Sequence, residues 1–249
     1  MVKKVNIRDN WQWICFIAIA VLWFGTMLHG DLVATYDHGI AFLDCLFSGK
    51  PLDFYLCSGD NAIYGSTAIY FITLYIIFAI WNIPCWIAIH IFGIEMNSVA
   101  CLLWARGLLV VCIVGSAIVL NKILKEIECK DSGFWIYIYC TSLFVMMPAL
   151  AIGQYDIIGV FITLLGVLNY AKEEKISLKT LVIFSFAISL KFFALFIFIP
   201  AVLLKEKRII YIIRNIVAGF GVTVITMAPY ILNHSYMTIS SEFNEGMFG

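Results

Sequence analysis

Long apolar blocks separated by short polar intervals run the length of the chain. They cover residues 11–29, 66–94, 98–120, 134–150, 157–170, 181–204 and 209–231. A helix that crosses hydrocarbon needs about 20 residues. In lipid every backbone amide must find its partner inside its own segment, so these blocks predict helices. The strict apolar–polar alternation of a membrane barrel is absent. Between the first two blocks, Ile40-Ala41-Phe42-Leu43 and Leu46-Phe47 recur at near-helical spacing, which predicts a short amphipathic helix lying on the membrane interface. Ser48-Gly49-Lys50-Pro51 ends it, because Gly and Pro do not continue a helix. Two blocks are interrupted. The 66–94 block carries Trp81-Asn82-Ile83-Pro84, which predicts a bend at Pro84, and the 181–204 block carries Lys191 at its centre. The expected fold is therefore all-α: a polytopic transmembrane helix bundle, with an outer loop carrying a short interfacial helix and with two broken or re-entrant segments. Residues 1–249 form a single transmembrane domain in this reading.

Charge placement supplies the orientation. Lys3, Lys4 and Arg8, then Lys122, Lys125 and Lys130, then Lys172, Lys175 and Lys179, then Lys205, Lys207, Arg208 and Arg214 form four basic groups. Such groups mark the cytoplasmic face. The interval of about 31–65 instead holds Asp31, Asp37, Asp44, Asp53 and Asp60 against Lys50 alone, which makes it the outer loop. The N-terminus is then cytoplasmic and the C-terminus outside. No A-x-A cleavage pattern follows the first block, at Met27-Leu28-His29-Gly30-Asp31, so it reads as a retained helix. An odd number of crossings must separate the outer loop from Lys122, which the bent 66–94 segment provides. The 181–204 block, with positive charge at both ends, enters and leaves on the cytoplasmic side.

Composition agrees. Of 249 residues, 63% are hydrophobic and 13% charged, where a soluble domain would carry roughly 25% charged. The net charge is zero, which offers nothing to nucleic acid. The eight cysteines stand singly, without metal-ligand spacing. Cys45 and Cys57 share the outer loop and can pair if that side is oxidising.

Charge inside a membrane costs about 2.5–3.5 kcal/mol per group at mid-helix on insertion scales. Lys191 bears that cost halfway along its block, where snorkelling is hard, so it is expected to pair with an anion. Arg106 lies a turn or two into its helix and either snorkels or contributes to a site. On the acidic side, Asp31 directly follows the first helix and is held rigidly at the membrane boundary. Asp37 and His38 follow two turns later. The tight turn Gly153-Gln154-Tyr155-Asp156 displays hydrogen-bonding groups beside the membrane; Asp156 there either caps the next helix or orients a sugar hydroxyl. A carboxylate so placed can also help hold a divalent cation such as Mg or Mn.

Taken in order, several stretches resemble the GT-C class of polytopic glycosyltransferases that use polyprenyl-phosphate-linked sugars, and especially its bacterial mannosyltransferase-like branch. These are Gly30-Asp31 with Ser48-Gly49-Lys50-Pro51-Leu52-Asp53-Phe54-Tyr55; Gly153-Gln154-Tyr155-Asp156; Ser189-Leu190-Lys191-Phe192-Phe193-Ala194-Leu195 with Lys205-Glu206-Lys207-Arg208; and Ala228-Pro229-Tyr230. The resemblance implies a bacterial cell-membrane enzyme that transfers a sugar to an acceptor on the extracytoplasmic side. By position, Asp31 would be its catalytic base, Lys191 would contact the donor phosphate, and Gln154 and Asp156 would shape the sugar site. Asp37, His38, Arg106 and Tyr155 are the further substrate-binding candidates. Two departures stand out: Tyr64-Gly65-Ser66 replaces the family's Tyr-Pro-Pro, and the chain stops at Phe248-Gly249, where the family would begin another segment. A transporter or flippase of lipid-linked intermediates, or a non-catalytic scaffold module, are the competing expectations.

Overall fold

The computed structural model describes residues 29–60 and 65–248, which are helical throughout with no strand among them. The expected helix at 11–29 lies outside the described residues.

Helix α1 spans Gly30–Phe47. Its first turn is closed by His29, whose Nδ1 accepts the Asp31 N–H at 3.2 Å, and Asp31 places negative charge at the helix's positive end. It stops at Ser48-Gly49 as expected, with Gly49 left-handed at φ 76°. It also begins ten residues earlier than the predicted interfacial segment, so Asp31, Asp37 and His38 ride on a helix rather than in a loop. The stripe Leu32, Val33, Tyr36, Ile40 and Leu43 already had helical spacing, but the acidic residues between hid it. Nor does α1 lie on a surface. Leu32 packs with Phe78, Leu109 and Ile158, Val33 and Tyr36 with Cys101 and Ala105, and Phe42 and Cys45 with Phe54, Ile72 and Tyr75. A 3-10 turn, Pro51–Asp53, and α2, Phe54–Cys57, follow α1.

Residues 65–71 are irregular, with Gly65 left-handed at φ 60°, although the hydropathy there predicts helix. Then come α3, Ile72–Trp81, and α4, Ile83–Phe92, bent by 61°. The bend falls at Asn82, ahead of Pro84, because a proline in the first turn of α4 leaves no helical hydrogen bond unmade. Trp81 at the break and Trp104 exchange indole N–H to carbonyl bonds, each 2.8 Å, which fastens the bend to the next helix. That helix, α5, Val99–Glu126, is capped by the Ser98 hydroxyl and is the one unbroken described helix long and apolar enough to cross a membrane.

Helix α6, Ser132–Thr141, was expected to run unbroken to 150. It breaks at Ser142 and continues as α7, Leu143–Met146, and a π-helical turn, Met147–Ile152, bent by 51°. Gly153 closes that turn at φ 75°, and α8, Asp156–Lys172, starts at once. Helix α9, Leu178–Leu190, ends at the extended Lys191; a 3-10 turn, Phe192–Ala194, leads into α10, Leu195–Lys205. This break was expected. Helices α11, Ile209–Gly219, and α12, Gly221–Leu232, are bent by 47° where one helix was predicted, and α13, Ser235–Phe248, follows.

Helix α8 packs between α5 and α9, which brings the breaks at Gly153 and Lys191 together. The opposite end of α8 is tied by Glu173, whose carboxylate accepts from the Asn169 amide (2.7 Å), the Ser177 hydroxyl (2.6 Å) and N–H (3.1 Å), and the Thr180 hydroxyl (2.8 Å). Partial burial pushes this carboxyl up, but the four donors outweigh it and hold it below the ordinary range. The Lys205 ammonium closes the knot on the carbonyls of Tyr170 and Glu173.

Candidate functional site

The breaks converge on a cavity of about 200 Å³. Helix α1 contributes Asp31, Thr35 and His38, the π-helical turn ends in Gln154, Tyr155 and Asp156, and Lys191 comes from the gap between α9 and α10. Six of the eight residues singled out from sequence therefore line one cavity, although Asp31 and Lys191 are far apart in the chain.

Among the described residues Lys191 is the only lysine or arginine lining this cavity. Its ammonium stands 3.0 Å from an Asp156 carboxylate oxygen, with the side chains 27% and 46% exposed. It also lies 4.7 Å from the centre of the Tyr70 ring and 5.0 Å from that of Tyr155. Those two rings meet edge to face at 5.2 Å. The extended backbone at 191 lets the side chain leave its helix sideways into this aromatic notch. The charge thus faces the cavity.

Asp31 is half-exposed at the cavity mouth, 3.6 Å from the His29 ring. His38 is deeper and nearly enclosed. Its Nε2 lies 2.8 Å from the Ser66 carbonyl, which can only accept, so this nitrogen carries the proton in the neutral ring and Nδ1 keeps its lone pair. Desolvation lowers the pKa of His38, against a smaller opposing effect of that hydrogen bond, and favours the neutral form.

The remaining wall is the irregular stretch 65–70, unrecognised in the sequence, which contributes Ser66, Thr67, Ile69 and Tyr70. Buried irregular backbone needs partners for its amides and carbonyls. Here side chains supply them. His38 takes the Ser66 carbonyl, the Ser58 hydroxyl accepts the Ala68 N–H at 2.8 Å, the Tyr55 hydroxyl donates to the Tyr70 carbonyl at 2.7 Å, and Tyr75 takes two further N–H groups. Nothing in the linear pattern marks these contacts, because each donor lies at least five residues from its target.

Two candidates lie elsewhere. Asp37 and Arg106 do not line the cavity. Both are buried, Arg106 to 0% exposure, on the facing surfaces of α1 and α5. One residue of helix separates Asp37 from His38, and the resulting rotation of about 100° turns it toward α5. Snorkelling is also excluded for Arg106, since its side chain never reaches a surface.

A second, mostly apolar cavity of about 140 Å³ adjoins the first, and Gln154 and Asp156 form part of both walls. Its other side is built from Tyr139, Phe144, Val145, Pro148 and Ile157 around the α6–α7 break. Among the described residues no three His, Cys, Asp or Glu side chains are grouped to hold a metal ion. The cavity's own acids do not make such a set. Comparisons with family models, curated proteins and solved structures find no match for this chain.

Proposed function

We propose that the protein is a membrane glycosyltransferase, a bundle crossing the bilayer several times, that moves a sugar from a polyprenyl-phosphate donor to an acceptor hydroxyl on the extracytoplasmic side. One observation carries the reading: the carboxylate of Asp31 and the ammonium of Lys191 open onto the same small polar cavity. In the reaction the bond between the sugar's anomeric carbon and the phosphate oxygen breaks as the acceptor oxygen bonds to that carbon. Asp31 takes the acceptor's proton as general base. Lys191 stabilises the charge that grows on the departing phosphate, in a setting where water screens it less than in bulk. Gln154 and Asp156 hold sugar hydroxyls. The adjoining apolar cavity suits the first carbons of the lipid chain, and three bent helix pairs supply the further crossings.

The deciding experiment incubates purified protein with a panel of radiolabelled polyprenyl-phosphate sugars and follows transfer. Lys191→Ala and Asp31→Asn should fold and lose transfer; full activity in either overturns its assigned role. Movement of the intact lipid between leaflets without sugar release would favour a flippase, a reading that the broken helices also suit. Orientation is checked with a membrane-impermeant thiol reagent on intact cells. Cys57, half-buried at the end of α2, should react and Cys129, beyond the far end of α5, should not.

A further inference from the structure

Tyr75 is fixed in an unusual hydrogen-bonding state. A phenol oxygen has two lone pairs and one proton. Both lone pairs are occupied, by the backbone N–H groups of Ile69 and Tyr70, each 3.1 Å away. The hydroxyl can therefore act toward anything else only as a donor, and no acceptor for its proton is found among the described residues. The side chain is held tightly as well as buried. It is 1% exposed, its ring meets His38 edge to face at 5.4 Å, and it packs on Phe54 at 5.1 Å. Yet Tyr75 lines the cavity, between His38 and the Ile69–Tyr70 backbone. A buried donor without a partner costs about 1–3 kcal/mol, so this proton has a use only when something accepts it.

The position says what that acceptor is. Tyr75 grips the backbone of Tyr70, and the ring of Tyr70 carries the Lys191 ammonium 4.7 Å from its centre. A fixed donor and a cation thus line the same cavity beside one residue, Tyr75 at the Tyr70 backbone and Lys191 at its ring. We infer that Tyr75 is a substrate-binding residue that donates a hydrogen bond to a phosphate-like oxyanion held in the cavity with Lys191. This rests on the reading that the cavity binds the donor's phosphate. A hydrogen bond to an ion is roughly twice as strong as a neutral one, which makes the contact selective for the anion over a sugar hydroxyl. Tyr75, Tyr70 and Tyr55 then form one unit: Tyr55 donates to the Tyr70 carbonyl, Tyr75 accepts from its N–H, and the clamped residue presents Lys191.

Tyr75→Phe removes the donor but also strands two backbone amides, so it does not separate binding from architecture. Replacement of Tyr75 with 3,5-difluorotyrosine does, because fluorination makes the hydroxyl a better donor and a poorer acceptor. Affinity for dodecyl phosphate and for inorganic phosphate would be measured at about pH 6, where a buried phenol stays protonated, with the wild type and Lys191→Gln in parallel. The expected result is binding about threefold or more tighter to the fluorinated protein for dodecyl phosphate. The same gain for inorganic phosphate identifies the free ion as sufficient, and its absence there assigns the contact to a lipid headgroup. If Lys191→Gln weakens binding while fluorination leaves it unchanged or weaker, the Tyr75 inference fails and the cavity reading stands. If the wild type binds neither probe, both fall.

Discussion

Asp156 makes the sharpest test of what Lys191 does. The ammonium stands 3.0 Å from the Asp156 carboxylate, which balances its charge. A phosphate that comes to Lys191 must share it with that carboxylate, and the two anions repel. Two unit charges 3 Å apart interact with about 5 kcal/mol at an effective dielectric of about 20. Both side chains reach solvent, so most of that is screened, and exposed pairs are measured at about 0.2–1 kcal/mol. The partly enclosed geometry sits between these limits, at about 1–2 kcal/mol, which corresponds to about 5–30-fold in affinity. Asp156→Asn is therefore expected to tighten dodecyl phosphate binding by about that factor, while slowing sugar transfer because a sugar contact is lost. Lys191→Gln should weaken binding, and the double variant should behave like Lys191→Gln alone. Isothermal titration on protein in lipid nanodiscs at low and high salt reads all four. Looser phosphate binding in Asp156→Asn, or independent additive effects in the double variant, would show that the carboxylate is no counter-ion for Lys191 and would refute the reasoning.

Three further outcomes are expected. Arg106→Ala should destabilise the protein by about 3–5 kcal/mol, because it disrupts a fully buried charge, and Asp37→Asn with Arg106→Gln should lose less than the sum of the singles; strict additivity in thermal melts would show that the two charges do not face each other. Gly153→Ala combines a left-handed backbone, costing about 1–2 kcal/mol, with a Cβ 2.9 Å from that of buried Leu32, and overpacking adds about 1–3 kcal/mol; a melting temperature equal to wild type would contradict it. Glu173 has a depressed carboxyl in the fold, so its contribution is present above the unfolded value near 4.3 and is lost as pH falls through the folded one. The melting difference between wild type and Glu173→Ala should accordingly be large at pH 7 and shrink as pH falls below about 4, and a difference that does not change with pH would refute it.

Much of this arrangement was readable from residue order alone, for identifiable reasons. Helix ends at Ser48-Gly49 and the break at Lys191 were visible because Gly, or a charge within an apolar run, leaves a local mark. The turn 153–156 was visible for the same cause. The helical start of α1 was not, since Asp31, Asp37 and His38 interrupt an apolar stripe whose partners lie in α3, α5 and α8. The breaks at Ser142 and Phe220 carry no proline or charge. The separation of Asp37 from His38 depends on helix rotation, and was lost once the segment was read as a loop. Tyr70 and Tyr75 were missed because their roles come from contacts with backbone and not from residue type.

The burial of α1 has a consequence for biosynthesis. Leu32 waits for Phe78, Leu109 and Ile158, the last of them made more than a hundred residues later. Throughout that interval a segment bearing Asp31, Asp37 and His38 has no finished pocket in which to settle. Substitutions that weaken its late partners should therefore first be noticed as failed assembly and degradation, before any defect in chemistry can be measured.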